Sequence, residues 1–204
     1  MKTLACAVAA IVAVAGSATA GTIQANATTN NGSGGIFTEL TAGASALNLT
    51  SFATFYSSAS GSSVNVEVWT RPGSYVGFTT SNAGWTLNGT VTATSAGTTT
   101  MSAHTAFTSP IAIGAGQTVA VYMHAITAGG GIRYFGTGTT SVTSFSNPDV
   151  SMFTSISRTG AVPFGGSQFT PRAFAGQMNY DIVPAPASLA LIGLGGLVAG
   201  RRRR

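Results

Sequence analysis

Between Ile36 and Ile182 no apolar run is long enough, or repeats at the right interval, to build a helix. The runs are short and β-branched, and Gly, Ser, Asn or Pro closes each one within a few residues. Such a pattern admits strands and turns and little else. Val64, Val66 and Val68 alternate with Asn65, Glu67 and Trp69, and Val119, Val121 and Met123 alternate with Ala120, Tyr122 and His124. A period of two buries one face of each strand and leaves the other to solvent. Strands are expected at 36–40, 46–56, 64–70, 85–94, 111–113, 118–125, 132–135, 150–155 and 173–182. Arg71-Pro72-Gly73, Asn88-Gly89 and Gly129-Gly130-Gly131 supply the chemistry of tight reversals between them. The expected fold is all-β, an antiparallel β-sandwich of jelly-roll-like layout over residues 36–182. Residues 21–35, rich in Gly, Thr and Asn, read as a flexible, mostly irregular leader ahead of it.

The chain has 204 residues, room for one ordinary domain. Charged residues make up 6% of it, against about 25% in a typical soluble domain. That excludes a coiled coil, an acidic disordered tail and a nucleic-acid binder. The formal net charge of +5 is concentrated at the ends, in Lys2 and in Arg201, Arg202, Arg203 and Arg204. Between them Arg71, Arg133, Arg158 and Arg172 balance Glu39, Glu67, Asp149 and Asp181. The middle is neutral, so the basic character reports on targeting and not on an anionic partner.

Met1-Lys2, the apolar run Leu4–Ala15 and the small residues Ala18 and Ala20 make a secretory signal peptide, residues 1–20, cut after Ala20. A first core helix is the competing reading, and the lack of a polar face counts against it. Cys6, the single cysteine, leaves with that segment, and the mature chain then has no thiol for disulfides, nucleophilic attack or metal. At the other end, Val183, Pro184, Ala185 and Pro186 precede a run without charge that holds Leu189, Leu191, Ile192, Leu194, Leu197 and Val198, and the arginines follow. As a helix, Ala185–Gly200 spans ~24 Å, short against a hydrocarbon core of ~30 Å. It is a weak anchor, with its arginine flank held in the cytoplasm and the body outside. The prolines keep the preceding strip extended, the form in which a protease or transpeptidase reads a chain. An ordinary single-pass tail anchor is the plain alternative.

This order of parts, Val183-Pro184-Ala185-Pro186, a short Leu- and Gly-rich helix and a closing Arg cluster, resembles the PEP-CTERM sorting signal over residues 183–204. The family takes its name from a Pro-Glu-Pro tripeptide, whose middle position here is Ala185. The resemblance implies a bacterial protein exported by the secretion translocase, held transiently or stably at the membrane, and recognised at Pro184–Pro186 by exosortase. It further implies delivery to the cell surface or the extracellular matrix. A second resemblance runs through Val66–Phe78, Ala83–Thr90, Phe164–Ser167 and Phe169–Arg172. These segments look like a domain that recurs in exported bacterial proteins of no established activity, similar in layout to a jelly roll. No site residues come with it.

Candidate chemistry in the middle is sparse. Glu39 and Glu67 would serve as a glycosidase pair only with carboxyl groups about 5 to 9.5 Å apart; otherwise each stands on a solvated strand face, with Glu67 placed to pair with Arg71. His104 and His124 with Asp149 lack the spacing of a metal site, and His124 reads as an outer-face strand residue. Asn147 and Asp149 offer too few oxygens for calcium without main-chain help. No Gly-x-Ser-x-Gly elbow is present. The expected function is therefore non-enzymatic, with no cofactor and no metal. The alternative is a carbohydrate-binding module whose glycan platform is Trp69, Tyr75 and Trp85, beside Phe78 and the Arg-Pro-Gly turn. In a sandwich, aromatics so placed also serve to close an end of the core. Asn26, Asn31, Asn48 and Asn88 each begin an Asn-x-Ser/Thr triplet.

Overall fold

The structure, a computed structural model, describes residues 18–32, 34–136, 138 and 142–184. The apolar segments expected to form the signal helix and the membrane anchor, with Ala185, Pro186 and the four terminal arginines, lie outside the described residues. Among those described, no helix is long and apolar enough to cross a membrane.

Thr19–Val183 forms one unit built from two antiparallel sheets. The smaller sheet runs β1 (Thr19–Gln24), β14 (Gly176–Val183), β4 (Ala46–Thr54), β7 (Thr105–Ile113). The larger runs β10 (Ser144–Ser146), β11 (Val150–Arg158), β3 (Gly35–Ala42), β8 (Thr118–Ala125), β5 (Ser63–Pro72), β6 (Thr86–Thr94), with β12 (Gln168–Phe169) added to β11. A short ribbon of β13 (Ala173–Phe174), β9 (Arg133–Phe135) and β2 (Asn31–Gly32) closes one side. The two main sheets share one core. Leu47, Leu49, Phe52, Ile111, Met178 and Tyr180 meet Ile36, Leu40, Val64, Val66, Val68, Val121 and Met123 across it, all buried. The valine alternation of β5 therefore points inward as expected, and burying each such side chain contributes about 1.5–3 kcal/mol.

The other face of the larger sheet is not solvated as its alternation implied. Phe37, Ala120 and Tyr122 on that face are fully buried beneath Tyr75 and Trp85 of the 73–85 loop and Phe164 of the 159–167 loop, in a second apolar cluster. β3 and β8 are thus covered on both sides, which is why GIFTELTA and TVAVYMHA carry so few polar residues. A period of two identifies a strand, but whether a loop folds back over its outer face is settled by residues distant in sequence.

Two expectations are corrected. The leader is irregular only in part: its first residues belong to Thr19–Gln24, which pairs in register with β14, from Thr19 opposite Ile182 to Gln24 opposite Gln177. Ile23 is its buried anchor, and Gly21 is required by close approach, since a Cβ there would lie 2.4 Å from the Tyr180 ring. Asn88-Gly89 is not a reversal either. It lies inside β6, where the register with β5 shifts opposite Val68 and Trp69, and Gly89 takes φ of 153°. There the Asn88 side chain donates from Nδ2 to the Ser109 carbonyl of β7 at 3.0 Å and ties the edges of the two sheets together. β7 itself begins at Thr105, six residues ahead of the expected start. Pro110 is tolerated within it because the strand is at a sheet edge and its pairing with β4 shifts there.

Candidate functional site

Registers across β3, β8 and β5 lay the outer face of the larger sheet out in rows. Gly35, His124 and Glu67 form one row, Phe37, Tyr122 and Trp69 the next, and Glu39, Ala120 and Arg71 the third. The middle row is aromatic. Phe37 stacks on Tyr122 with centroids 3.8 Å apart and planes 3° from parallel. Phe164 descends from its loop to within 4.8 Å of Tyr122 and meets Trp69 edge-on at 5.4 Å. It does so from a left-handed backbone, φ 61°, the one non-glycine residue in that region among those described. Holding it there costs of order 1 kcal/mol, which burial of the ring offsets.

Glu39 and Glu67 accordingly stand on opposite sides of this ring row. Four residues of offset along β8 and two strand spacings across place their Cα atoms ~16 Å apart. The rings between them exclude a sugar bridging both carboxylates. Glu67 does not pair with Arg71: its Oε2 accepts the Trp69 Nε1–H at 2.9 Å. The Arg71 guanidinium instead lies 3.5 Å over the Phe78 ring and donates to the Ser74 carbonyl.

The three expected platform residues part company. Tyr75 is completely buried and stacks on Phe153. Trp85 is 8% exposed, with its Nε1–H spent on the Phe78 carbonyl at 2.8 Å. Both belong to the cluster, and neither offers an open ring face. Trp69 is half-buried and lines an open groove of about 470 Å³ together with Glu67, Ser81, Asn82 and Phe164. Its walls are pinned from behind. Thr79 Oγ1 donates to Gln168 Oε1 at 2.7 Å, Trp85 N–H to the Asn82 carbonyl at 3.0 Å, and Arg158 Nη1 to the Gly166 carbonyl at 3.0 Å. Phe164, Ser81 and Asn82 escaped the sequence reading because their loops show no periodicity. Of the three, only Phe164 falls in a run that the sequence singles out, Phe-Gly-Gly-Ser. A second groove, about 330 Å³, holds Glu39 with Ser144, Ser146, Ser151 and Phe153 on the same face.

His124 lies on the outer face, but fully buried. The Tyr122 hydroxyl accepts the Phe164 N–H at 3.3 Å and shares a second hydrogen bond with His124 Nδ1 at 2.5 Å. Burial pushes the His124 pKa down to about 4, an effect the Gly160 carbonyl partly opposes. His104 sits on the smaller sheet between Ser51 Oγ at 3.2 Å and Gln177 Nε2 at 2.6 Å. Asp149 Oδ2 accepts from Tyr180 Oη at 2.8 Å, and Asn147 Nδ2 donates to that same hydroxyl at 2.9 Å and to the Thr22 carbonyl at 3.0 Å. Asn147 thereby fastens β1 to its neighbours, and both residues hold Tyr180 of β14. Burial, followed by that bond to Asp149, raises the Tyr180 pKa. Among the described residues no three His, Cys, Asp or Glu side chains gather into a metal-binding group.

Val183, 39% exposed, is the last residue of β14 and pairs with Ala46; Pro184 follows it outside the ladder. Ala18 precedes β1, and Ala20 lies within it opposite Asp181, so the expected cleavage bond falls inside that strand. Comparison of the chain with curated proteins finds no match. Comparison with family models finds one at the place where the ladder ends: residues 183–204 match the PEP-CTERM protein-sorting motif, and the chain carries that motif as its C-terminal segment.

Proposed function

We propose that this is an exported, non-enzymatic surface protein whose jelly-roll-like sandwich is presented outside the cell. It crosses by the secretion translocase, is held at the membrane with its C-terminus cytoplasmic, and is handed by exosortase to the cell surface or matrix. The observation that carries the reading is where the motif starts. The fold's last strand ends at Val183, and the motif begins at that same residue, so in the sequence the motif takes over where the last strand stops. Pro184 and Pro186 cannot donate to a ladder, which keeps the strip from being absorbed by a sheet. What favours a non-enzymatic body is the ring row that separates Glu39 from Glu67 and the engagement of Glu67 by Trp69.

Intact-mass measurement of the extracellular form tests this. The expected product lacks residues 1–20 and the terminal arginines, and its C-terminus lies in or just beyond Pro184–Pro186. An extracellular chain that still runs from Met1 through Arg204 would sink the proposal.

A further inference from the structure

The groove beside Trp69 has the composition of a sugar site. Its floor is one tryptophan ring and one carboxylate two residues apart on the same strand face. The bond from Trp69 Nε1 to Glu67 Oε2 holds both in place before any ligand arrives, and Phe164, edge-on to the indole, fixes the ring from one side. One carboxylate oxygen is thereby spent, and the other retains its acceptor capacity. The lining also includes Thr80 and Ser81, which carry hydroxyls, and Asn82, whose amide both donates and accepts. At about 470 Å³ the groove falls within the ~300–1,000 Å³ of small-ligand sites, and it is open rather than enclosed.

These features choose the ligand. Among the described residues no lysine or arginine side chain lines the groove and one carboxylate does, which disfavours phosphates, sulfated chains and polyuronates. A lining that combines an aromatic ring with hydroxyl, amide and carboxylate groups suits a molecule with one apolar and one hydroxylated side, and a pyranose ring is such a molecule. We propose that this groove binds a stretch of neutral polysaccharide, with a sugar's C–H face on Trp69 and its hydroxyls on Glu67 and Asn82. The site rests on the export reading only for where it would meet such a polymer. A surface protein with this groove would be retained by neutral matrix glycan through shape and hydrogen bonding, with little dependence on salt.

The test uses the full-length chain, purified from membranes in mild detergent, in affinity electrophoresis through gels containing β-glucan, xylan, mannan or galactan, with alginate as the polyanionic comparison. Retardation by at least one neutral polymer is expected, unchanged between low and moderate salt. Trp69→Ala should weaken it tenfold or more, and Asn82→Ala and Glu67→Gln severalfold. Glu39→Gln, in the other groove of the same face, should leave it intact. Since Trp69 also packs on Phe164, Asn82→Ala, whose side chain is exposed, decides the matter if Trp69→Ala unfolds. Absence of retardation by every neutral polymer, retardation that survives Asn82→Ala and Glu67→Gln together, or equal retention by alginate would each overturn the proposal. A chain that binds yet is not exported would leave this site standing and remove the export reading.

Discussion

Individual side chains on the outer face of the larger sheet carry the most testable chemistry. His124 is neutral in the fold, its pKa pushed down from 6.5 to about 4 by burial. Between those two values the unfolded chain binds a proton that the folded chain does not, so stability falls as pH drops from 6.5 to 4 and levels off below. The loss amounts to at most about 3 kcal/mol. Urea titrations at pH 7, 5.5 and 4 should show it, and His124→Gln should flatten that part of the profile; a wild-type profile flat over the same range would refute the assignment. Trp85 is 8% exposed and belongs to the second cluster. Trp85→Ala is therefore expected to cost about 3–5 kcal/mol by thermal melt, and an unchanged melting temperature would count against its place in that cluster. Of the three aromatics grouped by the sequence, Trp69 alone faces the groove. Loops distant from the turn decide which ring is covered, and ring type and spacing carry no record of that.

At the scale of elements, β1 is the informative one. It is an edge strand with a single well-buried side chain, Ile23, and its hold on β14 is reinforced by Asn147, which donates to the Thr22 carbonyl. Edge strands of this kind open locally at low free energy, so amides of Gly21–Gln24 should exchange faster than those of β4 in hydrogen-exchange mass spectrometry. Gly21→Val would force the Tyr180 ring aside, since even a Cβ at that position comes within 2.4 Å of it, and with it the Tyr180–Asp149 bond. A loss of about 1–3 kcal/mol is expected, and an unchanged melting temperature would count against the packing described. The segment looked irregular because only Ile23 and Ala25 alternate with polar neighbours over its length. Two apolar positions are enough for an edge strand when a partner strand already exists, but too few to announce one.

For the whole molecule, charge and address are separate. Four arginines and four carboxylates balance between residues 21 and 182, while Lys2 and the four terminal arginines account for the excess that gives an isoelectric point near 10.0. Processing at both ends should therefore move the isoelectric point from near 10.0 toward neutrality, which isoelectric focusing of the cellular and extracellular forms would show; a processed form still near its starting value would mean the arginines remain. The fold class, most strand positions in the body and the C-terminal sorting motif were legible in the chain alone. Each rests on local order: a period of two, turn residues at strand ends, or a contiguous string of parts. The covering of the larger sheet's outer face, the recruitment of the leader into a sheet, the separation of Glu39 from Glu67 and the groove beside Trp69 were decided by the tertiary structure. Every one of them depends on residues tens of positions apart being brought side by side, and strand register and loop closure, which do that, leave no periodic mark on the sequence.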